Sequence, residues 1–168
     1  MTLKGHINLA IFPFLLFNNL NPTSNLPIPF YIGLIIGSFF PDIDEPNSYI
    51  GKKLSFLSKF LRKIGLKHRT LTHSIFFPFT LFLLIILLSN LNTFFIKGFI
   101  VGAIFHIIGD AITISGVPIF YPISKKRYFL LPSFLRFKVG GIAENIIIFI
   151  LTLTNIVLGI KFFIPYNL

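Results

Sequence analysis

Residues 94–115 read FFIKGFIVGAIFHIIGDAITIS, and this stretch decides the fold. A helix of that length runs about 33 Å, enough to cross the roughly 30 Å hydrocarbon core of a bilayer. Its ionisable residues are Lys97, His106 and Asp110. His106 and Asp110 are four residues apart, so on a helix their side chains stack on one face and can share an ion or a water. With the helix ending near Ser115, His106 lies about 13 Å inside it. Ionisable groups at such depth are costly and pair with one another or line a cavity, which makes them functional candidates. The competing reading is a structural pair buried for packing.

Further apolar stretches lie at residues 6–20, 28–40, 74–91 and 142–164. The chain has 168 residues, 54% hydrophobic and 12% charged, against about 25% charged in a soluble domain. These features predict an all-α integral membrane bundle of about five spans, forming a single domain over residues 1–168. The stretches at 6–20 and 28–40 fall short of the ~20 residues a span needs. They are either interfacial or re-entrant, or they cross as shortened helices that thin the bilayer. The first is read as a retained span, because no small-x-small cleavage site follows its basic start at Lys4.

The net charge of +10 is concentrated in two loops. One holds Lys52, Lys53, Lys59, Arg62, Lys63, Lys67 and Arg69; the other holds Lys125, Lys126, Arg127, Arg136 and Lys138. The positive-inside rule places both in the cytoplasm. The connections at 18–29 and 88–93 carry no Lys or Arg and fall outside, which puts the N-terminus inside. Within the first loop, Leu54, Leu57, Leu61 and Ile64 recur at helical spacing among lysines. They predict an amphipathic helix over 52–66, lying on anionic headgroups or against the bundle, or else a solvated charged helix.

The acids other than Glu45, together with the histidines, form one constellation. His6 opens the first stretch; Asp42 and Asp44 follow the second; His68 and His73 precede the third; Glu144 begins the last. All lie at or near the basic side. Asp42 and Asp44 sit between Pro41 and Pro46, which restrict the backbone. The two carboxylates either face one ion, or one binds while the other orients a histidine; a helix-capping loop is the plainer reading. His6 is either a ligand or an interfacial anchor. With no cysteine in the chain, a metal has only nitrogen and oxygen ligands.

Gly5-His6, Pro41-Asp42-Ile43-Asp44 with Ser48, His68-Arg69-Thr70-Leu71-Thr72-His73-Ser74, and His106-Ile107-Ile108-Gly109-Asp110 with Thr113, Gly116, Pro118 and Pro122 occur here in order. Together they resemble the YdjM-like family of bacterial and archaeal membrane-bound, metal-dependent hydrolases. Glu144 after Gly140-Gly141 looks like the family's late glutamate. Gly5 stands where the family has Thr, and Thr70 where it commonly has Gly. The family is in turn distantly similar to zinc-dependent phospholipase C and single-strand nucleases, which implies phosphate-ester cleavage by analogy.

Eight side chains, His6, Asp42, Asp44, His68, His73, His106, Asp110 and Glu144, exceed the three protein ligands of one catalytic zinc. The expectation is therefore a divalent metal, zinc by the resemblance, with room for two or more ions. Asp42 or Glu144 is the candidate general base, and Arg69, with Lys67, would stabilise phosphoryl charge. Headgroup depth points to a phospholipid or lipid-linked phosphate as substrate, in the inner membrane and at its cytoplasmic face. Two alternatives need no catalysis: a divalent-ion or proton transporter using His106 and Asp110, and a plain metal-binding membrane protein. The charge-free outer connections speak against transport. A nucleic-acid partner is not expected, because clustered carboxylates would repel phosphate unless metal-bound. The absence of His-Glu-x-x-His excludes zincin proteolysis.

Overall fold

The computed structural model of the chain describes residues 1–21, 23, 25–88 and 93–163. Residues 89–92 of the expected connection at 88–93, and residues 22 and 24 of that at 18–29, lie outside the described ones. These form helices α1 (Leu3–Leu20), α2 (Ile28–Phe39), α3 (Tyr49–Lys53), α4 (Ser55–Lys63), α5 (Phe76–Leu88), α6 (Thr93–Ala111) and α7 (Ile142–Phe163). No strand is present among them; two isolated bridges join the segment before α7 to itself. The all-α reading therefore holds.

The helices start where local chemistry favours it. The Thr2 hydroxyl accepts the Gly5 N–H at the head of α1, and Pro27 precedes α2, fixing its entry. At the other end of α2 the chain tightens at Pro41 into a 3₁₀ turn, Phe40–Asp44. This turn positions the first acids.

The centre of the bundle is the seam between α2 and α6. Gly33 and Gly37 face Gly98 and Gly102, and the two backbones touch. A Cβ added at Gly33, Gly37 or Gly98 would lie 2.0 Å from the carbonyl oxygen of Phe95, Phe99 or Phe30 respectively, and one at Gly102 would lie 2.2 Å from that of Leu34. Small residues four apart on both helices allow this approach, which membrane bundles use in place of a hydrophobic drive. Ala10, Phe30 and Leu34 complete the packed centre.

α7 is joined to α1 differently, through amides. Asn155 donates to the backbone and side-chain oxygens of Asn8, each at 3.1 Å, and Asn19 donates to the Leu158 carbonyl at 3.0 Å.

Among the described residues two helices, Thr93–Ala111 and Ile142–Phe162, are long and apolar enough to cross a membrane. α2, with 12 residues, measures only about 18 Å. In the first basic loop the chain breaks at Leu54 into α3 and α4, where one helix over 52–66 was expected. The break has a local cause. Ser48 caps α3 and donates to the Asp42 carbonyl, while Gly51 packs against the Glu45 backbone, so α3 is pinned to the acidic turn. α4 leaves that anchor and exposes Phe56, Leu57 and Phe60.

Residues 112–141 are held without long helices. Val117 and Tyr128 exchange backbone hydrogen bonds, Ile114 N–H reaches the Phe137 carbonyl, and Ile75 N–H reaches the Ile119 carbonyl. This segment is thereby tied to the chain just before α5.

Candidate metal centre

Three local structures converge on the C-terminal end of α6. The 3₁₀ turn after α2 presents Asp42 and Asp44. A second turn, Leu71–His73, presents His73, with His68 just before it. Helix α1 turns His6 inward, where its ring stacks on His106 with centroids 3.8 Å apart. Gly109 leaves the room this needs, since a Cβ there would sit 2.9 Å from His6 Nδ1. His6, Asp44, His73, His106, Asp110 and Glu144 are all buried.

Hydrogen bonding fixes the tautomers of the two central histidines. His106 Nδ1 lies 2.8 Å from the Ser38 carbonyl, which can only accept, so Nδ1 carries the proton and Nε2 bears a lone pair. The Thr72 hydroxyl gives its single proton to Asp44 Oδ2 at 2.6 Å and so accepts from His73 Nδ1 at 2.9 Å. That leaves the Nε2 of a neutral His73 ring with a lone pair as well. These two Nε2 atoms face each other at 3.0 Å.

Carboxylates surround the same point. Asp42 Oδ1 is 3.5 Å from the Nε2 of both His73 and His106, and Asp110 Oδ2 is 3.5 Å from His73 Nε2. His6 Nε2 is 3.5 Å from Asp110 Oδ1, and neither ring nitrogen of His6 makes a hydrogen bond. Lone pairs and anions gathered in a buried space repel unless a cation joins them. Two nitrogens bound to one tetrahedral zinc would stand roughly 3.3 Å apart, close to the spacing here. The donor set fits a divalent metal, and second-layer groups orient its histidines as metal sites require.

The geometry sorts the expected residues. Three triads each bring ligand atoms within 4.8 Å of one another: His6, Asp42 and His106; Asp42, His68 and His73; His73, His106 and Asp110. Asp44 stands behind them, bonded to His68 Nδ1 at 2.8 Å and to Thr72. Glu144 is in none of the triads. One of its oxygens accepts from the Thr2 N–H and hydroxyl, the other from the Gly140 N–H, which joins the starts of α1 and α7. Arg69 grips Asp110 through a hydrogen bond from Nη2 to Oδ1 and an ion-pair contact from Nε to Oδ2, each 3.1 Å. It does so from a left-handed backbone, φ +59°, a conformation that costs a non-glycine residue about 1–2 kcal/mol. The Met1 amino group also meets Asp110 Oδ1.

Two groups outside the helices show how charge is balanced. Burial opposes ionisation of Asp42, yet positive charge shared with His73, His106 and His6, a proton in an ion's absence, outweighs it and holds its carboxyl well below the usual range. Burial likewise works against the charged ring of His68, but Asp44 more than offsets it and raises that histidine.

Sequence reasoning overlooked the Ser38 carbonyl, Thr72 as the link between Asp44 and His73, and Tyr121, Lys125 and Arg127, which join Lys67, His68 and Arg69 around a cleft of about 370 Å³. A hydroxyl just before His73 was the visible signal for Thr72. A backbone carbonyl leaves none.

The YdjM inner membrane protein family model matches residues 1–166. The chain is 33% identical over 102 residues to the inner membrane protein YdjM of Escherichia coli K12, a match covering 52% of this chain and 46% of that protein. It is 31% identical over 123 residues to the uncharacterised protein YvsG of Bacillus subtilis 168, covering 71% of each. The chain thus spans about half the length of the first of these curated relatives. No solved structure matches it.

Proposed function

Because the chain belongs to the YdjM inner membrane protein family, we propose that it is a membrane-bound, metal-dependent hydrolase of a phosphate ester, with its site at the cytoplasmic face. One observation carries the reading: the Nε2 lone pairs of His73 and His106 oppose each other at 3.0 Å beside Asp42 and Asp110. A buried arrangement of that kind calls for a cation. His6, Asp42, His68, His73, His106 and Asp110 would hold it, as one ion or as two sharing Asp42. A divalent ion supplies Lewis acidity, drawing charge from phosphoryl oxygens and easing loss of a proton from water.

The remaining residues act around that centre. Asp44 and Thr72 keep His68 and His73 in register. Arg69 lines the cleft while its fork holds Asp110, and its positive charge would help stabilise a phosphoryl group there. Glu144 ties the heads of α1 and α7 together and so positions His6. A lipid-borne ester is supported by the surroundings. The wall at 118–121 that borders the cleft also turns Ile119 into an apolar pocket of about 150 Å³, with Ile75 and Ile107. Exposed Phe56 and Phe60 among the lysines of α4 suit an anionic interface. With α6 and α7 as spans, the basic loops on the site's side belong to the cytoplasm.

The test is hydrolysis of phospholipid and lipid phosphate by protein purified in nanodiscs, with metal content measured on the same samples. His73→Ala and Asp110→Ala should lose both metal and hydrolysis. Full activity in either variant would overturn the proposal.

A further inference from the structure

The two basic loops lie 50 residues or more apart in sequence between Arg69 and Lys125, yet they meet at one cleft. Lys67, His68 and Arg69 form one side; Tyr121, Lys125 and Arg127 form the other. His68 is at once a wall of this cleft and a member of a metal-ligand triad, so the cleft opens directly onto the metal centre. No carboxylate is among its described lining residues.

The charges differ in what they already hold. Arg69 is committed to Asp110. Lys67, Lys125 and Arg127 have no ion-pair partner among the described residues. Arg127 is instead fixed by a 2.6 Å hydrogen bond from Nη1 to the Ser115 carbonyl, which holds its guanidinium in place while leaving other N–H groups free. Three uncompensated cations around 370 Å³ exceed what a phosphodiester, with one negative charge, can neutralise. A phosphomonoester carries about −1.5 to −2 at neutral pH, and a diphosphate carries more.

We propose that this cleft is a head-group subsite for a phosphate bearing two or more negative charges, a phosphomonoester or diphosphate, and that Lys125 and Arg127 select it over a singly charged diester. The inference rests on the reading of the metal centre as a phosphate-ester site and adds the class of ester. Lys125 and Arg127 are specificity residues here, reaching the head group from a segment that contributes nothing to the triads. Tyr121 supplies a hydroxyl on the same wall for an oxygen of the group.

The experiment is calorimetric binding to full-length protein in phosphatidylcholine nanodiscs, stripped of metal by chelator so that only the cleft recruits the anion. Pyrophosphate and inorganic phosphate should bind, and dimethyl phosphate, a monoanionic diester, should compete at least roughly tenfold less well, the equivalent of ~1.4 kcal/mol. The Lys125→Gln, Arg127→Gln double variant should weaken pyrophosphate by about tenfold or more. Equal competition by dimethyl phosphate would overturn the proposal without recourse to any variant, and so would undiminished pyrophosphate binding in the double variant. Nanodiscs doped with phosphatidic acid identify the source: loss of pyrophosphate binding there marks a lipid-borne phosphate, and unchanged binding marks a soluble one. Either result keeps the dianion subsite. Failure of the underlying reading looks different, namely parent protein that neither retains metal nor hydrolyses any ester, whatever its anion binding.

Discussion

Helices α6 and α7 are made of similar residues and are used in opposite ways. Both are long and apolar enough to span a bilayer, yet half of the most apolar stretch of α6 is buried inside the molecule and none of that of α7 is. α6 carries Gly98 and Gly102 against α2 and His106 and Asp110 into the candidate metal centre. α7 presents Phe149, Ile150, Leu153 and Ile160 outward and meets α1 through Asn155 and Leu158. Hydrophobicity therefore says little about a helix's place here. Small residues and rare polar ones decide it, because lipid solvates an apolar side chain as well as another helix does.

The largest effect should come from the glycine seam. Gly102→Ala or Gly37→Ala places a methyl about 2 Å from a carbonyl oxygen of the partner helix. The cost should exceed the ~1–3 kcal/mol of ordinary overpacking, and the variants should fail to accumulate as folded protein, read by size-exclusion and thermal melting. Folded, parent-like Gly102→Ala protein would break the contrast between the helices.

Metal removal comes next. If the converging lone pairs need a cation, adding zinc to chelator-stripped protein at 100 times its Kd should stabilise it by about 2.7 kcal/mol, seen as a rise in Tm. Asp110→Asn on α6 should abolish most of that rise, whereas Thr154→Val on α7, whose hydroxyl bonds the Ile150 carbonyl, should keep it.

On α7 the same glycine change reverses in sign. A Cβ at Gly159 meets nothing within 4 Å, so Gly159→Ala should be neutral or stabilise by up to ~1 kcal/mol through helix propensity. A comparably small effect, of opposite sign, is expected at Asn155→Ala, which removes two 3.1 Å bonds to Asn8. Interhelical hydrogen bonds in membranes average about 0.6 kcal/mol, and the melting shift should be correspondingly slight.

Much of this was legible in the sequence, for physical reasons. Charge is so costly in an apolar chain that His106 and Asp110 signalled a site before any geometry was known. The prolines around Asp42 and Asp44 signalled a rigid turn, and the structure brings His6, Asp42, His68, His73, His106 and Asp110 together. Glu144 carried the same signal, but besides the Thr2 hydroxyl its partners are the backbone N–H groups of Thr2 and Gly140, which no side-chain pattern records. The division of labour between Asp42, near the Nε2 atoms, and Asp44, behind Thr72 and His68, depends on a 3₁₀ turn that spacing alone leaves open. The spacing of glycines in α2 and α6 was visible, yet which pairs would meet required the packed helices. The helix expected over 52–66 was interrupted because Ser48 and Gly51 anchor its start to the acidic turn, a tertiary contact that apolar periodicity does not report.

The most direct test of the central claim is the metal content per chain of protein purified from membranes without chelator, compared with His106→Ala handled identically. At least one divalent ion per chain is expected in the parent, falling to background in the variant. A parent that carries no stoichiometric metal, or a variant that carries as much as the parent, would contradict the account.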